Sequence, residues 1–103
     1  MTGPITFNPI PGTPRIEAML GTQLVGIVSR YPYTGSSFGK VEATYQLRLP
    51  VKGAIPMAAP TASLKAAIRL LLIKLAEWHE AADAERYAEM IIALRAQAEG
   101  EGA

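Results

Sequence analysis

From Lys40 to Leu49 the chain alternates: Val41, Ala43, Tyr45, Leu47 and Leu49 fall on one side, Glu42, Thr44, Gln46 and Arg48 on the other. Period two is the mark of a strand with one buried face. Leu24-Val25-Gly26-Ile27-Val28 is a second short run, apolar and β-branched, and Pro32, Gly35 and Gly39 lie between the two. The spacing predicts an antiparallel hairpin over 23–49, with a loop longer than a tight turn.

The period then changes. Leu64, Ile68, Leu71, Leu75 and Trp78 form one stripe at helical spacing, and Ala66, Leu70 and Ile73 form a second on the opposite side. Eleven of the fifteen residues from Leu64 to Trp78 are apolar, so this helix needs cover on more than one face. Thr61 or Ser63 supplies its N-cap. From Asp83 to Ala98 a further stripe joins Ala84, Tyr87, Ala88, Ile91, Leu94 and Ala98, with Ile92 lying off it. A helical hairpin turning within His79–Asp83, or one long helix, accounts for residues 61–98; globular helix lengths favour the hairpin. Residues 99–103 are expected to fray.

The flanking segments are punctuated by proline. Pro4, Pro9, Pro11 and Pro14 favour an extended arm, made sticky by Ile5, Phe7 and Ile10, which must dock on its own domain or on a neighbour. Thr13-Pro14, the run Arg15–Leu20 and then Gly21 suggest a helix of one to two turns. Arm and short helix together occupy 1–22. Residues 50–60, with Pro50, Gly53, Pro56 and Pro60, read as a linker without regular structure. The whole is one α+β domain.

Composition sharpens this. Half of the 103 residues are apolar and only 18% are charged, below the roughly 25% of an average chain. That leaves little polar material to cover a surface and points to buried interfaces. Cysteine is absent, which excludes disulfides and thiolate metal sites. No signal-peptide pattern opens the chain and no run approaches the ~20 apolar residues of a membrane span. A soluble, non-secreted protein, cytoplasmic or within a virion, is expected. Charge is segregated: residues 1–74 carry eight Lys/Arg against Glu17 and Glu42, residues 75–103 carry Arg86 and Arg95 against seven Asp/Glu. Complementary halves of this kind steer head-to-tail contact between copies.

Chemistry-bearing constellations are sparse. Gly35–Lys40 has glycines and a lysine like a phosphate loop, but the glycines are too close, Val41 replaces the hydroxyl, and a strand pattern follows. His79 stands beside Glu80 and Asp83 but lacks the second histidine of a zinc helix; the spacing makes it part of a polar helix end, with Trp78 packing inward. No nucleophile pairs with a base, so neither an enzyme nor a cofactor is expected, and no metal site. Arg30, Tyr31, Tyr33, Phe38 and Lys40 mix cations with rings at the hairpin tip, the chemistry that holds single-stranded nucleic acid. A pI of about 8.1 is less basic than a dedicated binder would carry. Lys65 and Arg69, one turn apart near a helix start, oppose the helix dipole, and Glu85 and Glu89 are a matching acidic pair too distant to meet them within one antiparallel hairpin. Between chains they could meet.

The expectation is therefore an assembly subunit, packing Ile5, Phe7, Ile10, Leu70, Ile73 and Ile92 against copies of itself or a larger complex, with Lys65, Arg69, Glu85 and Glu89 steering. A small virion or scaffold component would suit this layout by analogy. The alternative is a nucleic-acid-binding accessory protein that uses the hairpin tip.

Overall fold

The computed structural model describes residues 3–30, 41–48 and 58–102. Five strands, β1 (Ile5–Pro9), β2 (Arg15–Leu20), β3 (Gln23–Arg30), β4 (Ala43–Leu47) and β5 (Ala59–Thr61), precede two helices, α1 (Leu64–Asp83) and α2 (Ala88–Gly102). The strands form one antiparallel meander in the order β1-β2-β3-β4-β5. The α+β class and the hairpin of β3 on β4 are as expected, with Val28 opposite Tyr45.

Two segments differ from the sequence reading, and a third takes one of the two courses it left open. The proline-rich arm docks on its own sheet, as edge strand β1. Prolines are tolerated there because an edge strand leaves one set of backbone groups unused. Arg15–Leu20 is strand, not helix. Its six residues cannot nucleate a lone helix, whereas as β2 they gain ladders on both sides, and Ala18 is fully buried. Gly21, which the pattern suggests as a helix stop, is a turn residue, as is Gly12: their φ angles are 62° and 76°. Gly21 begins the two-residue loop joining Leu20 to Gln23, where a II′ hairpin turn requires positive φ. At the end of the expected linker, Ala59 and Pro60 join Thr61, a cap candidate in the sequence, as β5 paired with β4, and Pro60 sits on this second edge.

The ladder of β2 on β3 shifts between Ala18 and Met19, so that Ala18 faces Gly26 and Met19 faces Leu24. Val25 is the extra residue of this bulge, and both Val25 and Gly26 are buried. One sheet face, bearing Ile5, Ala18, Val25, Val28 and Ala43, joins Ala67, Leu71, Leu72, Leu75 and Ala76 of α1 and Ile91, Leu94 and Ala98 of α2 in a single core. Met19, Leu24 and Ile27 lie on the opposite face, half-buried, with Met19 and Leu24 directly paired.

The helices form the expected hairpin, displaced along the chain. Ser63 is the N-cap of α1, its Oγ accepting from the Ala66 N–H (3.0 Å). The helix runs through His79–Asp83, where the pattern places a turn, and the turn is Ala84–Tyr87. Asp83 organises it: its Oδ1 accepts from the Arg86 N–H (3.1 Å) and its carbonyl from the Tyr87 N–H (3.1 Å). Residues 99–102 are helical, not frayed. Gln97 explains their order, because its side chain ties this end of α2 to β1.

Candidate interaction surface

With Ala67, Leu71, Leu72, Leu75, Ala76 and His79 buried, a rotation of 100° per residue puts Ala66, Leu70, Ile73 and Glu77 on the outer arc of α1. Leu70 and Ile73 are half-buried, and Ile73 packs against the core. On α2 the inner residues are Ile91, Leu94, Gln97 and Ala98. Ile92 points away from them and is 68% exposed, the one exposed large apolar side chain among the described residues.

The surroundings of Ile92 are acidic and small. Ala88 and Glu89 lie one turn before it, Arg95 and Ala96 one turn after, Glu99 two turns after, and Glu85 in the preceding turn; all of them are exposed. Arg95 is engaged with Glu80 of α1 (2.8 Å), so Glu85, Glu89 and Glu99 dominate the field around the isoleucine.

On α1 the charges are ordered: Lys65, Arg69 and Lys74 precede Glu77, Glu80 and Asp83. The first turn has no acid and the last no base. This order opposes the helix macrodipole, which favours acids at the start and bases at the end by roughly 0.3–1 kcal/mol each. Lys65 and Arg69 lie at the opposite end of α1 from Glu85 and Glu89, so the two pairs do not meet within the chain, as the spacing requires.

The remaining sequence candidates distribute as follows. Ile5 is buried in its own core, and Phe7 packs against it; Ile10 is half-buried. Arg30 is exposed at the end of β3. Tyr31, Tyr33, Phe38 and Lys40, with the rest of the Gly35–Lys40 segment, lie outside the described residues. His79 departs from the expected polar helix end. His79 is buried and its Nδ1 donates to the Leu75 carbonyl (2.8 Å), while Trp78 is less deeply placed. The imidazole meets Trp78 and Tyr87 edge-on, at centroid separations of 5.1 and 4.9 Å. A ring placed this way joins α1 to the turn that leads into α2. Among the described residues no cluster of His, Asp and Glu could hold a metal ion, and no helix is long and apolar enough to cross a membrane.

An open groove of about 400 Å³ runs between Tyr45, Leu47 and Ala59 of the sheet and Lys74, Glu77 and Trp78 of α1. Lys74 and Glu77 pair across one turn (3.2 Å), so these walls offer rings and a mutually neutralised ion pair, with no nucleophile beside a base. Sequence reasoning missed both this groove and the Met19–Leu24–Ile27 patch, because each depends on which strands become neighbours. No family model, curated protein or solved structure matches the chain.

Proposed function

We propose that this protein is an assembly subunit, and that its helical layer is the surface that binds further copies or the neighbouring subunits of a larger complex. The observation that carries this reading is Ile92, 68% exposed at the centre of an acidic helix face. An apolar side chain contributes about 1.5–3 kcal/mol when fully removed from water, and here charge surrounds it, as in an interface with a small apolar centre and a polar rim. The basic start of α1, with Lys65 and Arg69 beside the half-buried Leu70 and Ile73, offers the complementary sign and a shallow apolar seat. A contact of α2 on the α1 of another copy joins them. Opposed charges of this kind fix orientation and speed encounter more than they add affinity. Service in a virion or scaffold is one setting that suits such a subunit.

The test is sedimentation of the Ile92→Asp variant. The site is exposed in the single chain, so thermal stability should stay within about 0.5 kcal/mol of the parent while the assembled mass falls. Arg69→Glu and Glu89→Arg should each weaken assembly, and their combination should restore it in part. A parent protein that sediments as one chain at every concentration, alone and with its source extract, would end this reading.

A further inference from the structure

The two edges of the sheet are closed by different means. On β5 the edge carries Pro60, which has no N–H to offer. On β1 the Ile10 N–H donates to the Arg15 carbonyl (2.9 Å), so the even-numbered residues of that strand face β2 and, by the alternation of an antiparallel ladder, Ile5, Phe7 and Pro9 direct their backbone groups outward. At Ile5 a side chain occupies the place of a missing strand. The Ile5 N–H donates to Oε1 of Gln97 (3.1 Å), and Nε2 of Gln97 donates to the Ile5 carbonyl (2.8 Å). This two-bond ring is what a neighbouring peptide group would make. Gln97 is 3% exposed, and Gly3 leaves room for it: a Cβ there would fall 2.4 Å from the Gln97 side-chain carbon Cδ.

We propose that the outer edge of β1 is a strand-pairing site for β1 of a second copy of this chain, and that Gln97 is the plug that holds it shut. The edge is self-complementary about Phe7. In an antiparallel pair with Phe7 opposite Phe7, the two phenylalanines exchange both backbone bonds, and each Ile5 N–H meets a Pro9 carbonyl. The missing proline donor then leaves only the Ile5 carbonyl to water. Such pairing would join two five-stranded sheets into one, and it becomes open when the last turns of α2 lift from β1. The site is a sheet edge and not the helical face, so it stands apart from the reading given under Proposed function.

Gln97→Ala and Gly3→Val, each made in the Ile92→Asp background to remove the helical contact, test it by two routes: one deletes the plug, the other evicts it. Both should keep the far-ultraviolet circular dichroism of the fold, double their sedimenting mass with rising concentration, and slow hydrogen exchange at the Phe7 amide in step. A folded variant that stays a single chain, or one that associates while the Phe7 amide exchanges as fast as before, overturns the proposal. Loss of the fold in both variants overturns it too, because Gln97 would then be a plain core strut.

Discussion

At Gly26 the sheet and α1 touch so closely that no side chain fits. A methyl group there would lie 2.6 Å from Cδ1 of Leu71 and 3.0 Å from the Gln46 carbonyl oxygen. Leu71 is fully buried and cannot swing aside without displacing the core. Gly26→Ala should therefore cost about 1–3 kcal/mol by overpacking, lessened by the smaller entropy of its unfolded chain. In urea the midpoint should fall with the slope unchanged. In the sequence Gly26 is only an interruption in an apolar run; that it marks a close approach emerges once α1 is laid on β3. Gln97 leaves a fainter sign, a polar residue among Ile91, Leu94 and Ala98 on the inward arc. Its partner is 92 positions away in the chain, and no local pattern names it. His79 sits at helical spacing from Leu72, Leu75 and Ala76, and that spacing could have placed it inside.

Among the elements, the start of α1 is legible, Ser63 being one of the two caps its sequence offers. Ser63→Ala should remove the bond to the Ala66 N–H at a cost of about 1 kcal/mol, read as a lower melting temperature in calorimetry. The period-two run of β4 and the apolar stripes of α1 and α2 are equally plain, because each element carries enough residues to display its own repeat. The short elements are not. Arg15–Leu20 has a helix-like frame of proline and glycine, yet the alternation of Ile16, Ala18 and Leu20 against Arg15, Glu17 and Met19 describes the strand it forms. β5 is three residues long and includes a proline, so only its pairing with Ala43 and Tyr45 reveals it. The candidate surface follows the same rule. Ile92 can be picked out as falling off its stripe, while Leu70 and Ile73 are less exposed than their stripe implies, because their burial depends on how the helices sit together.

For the molecule as a whole, charges on one layer and an apolar patch on the other make different demands on solvent. An assembly steered by Lys65 and Arg69 on one copy and Glu85 and Glu89 on another should dissociate as ionic strength rises from about 0.01 M to about 1 M, since the screening length then contracts from roughly 30 Å to roughly 3 Å. Sedimentation across that range checks it, and an unchanged mass would leave Ile92 alone to explain association. The sheet itself is built from neighbours in sequence order, so its ladders close over short distances. The exception is the clasp between Ile5 and Gln97. A ribosome releases the first strand early and the residue that guards it 92 positions later, on the order of ten seconds at ordinary rates of synthesis. Through that interval each nascent chain bears an uncovered border, and crowded polysomes would give it company before its guardian arrives.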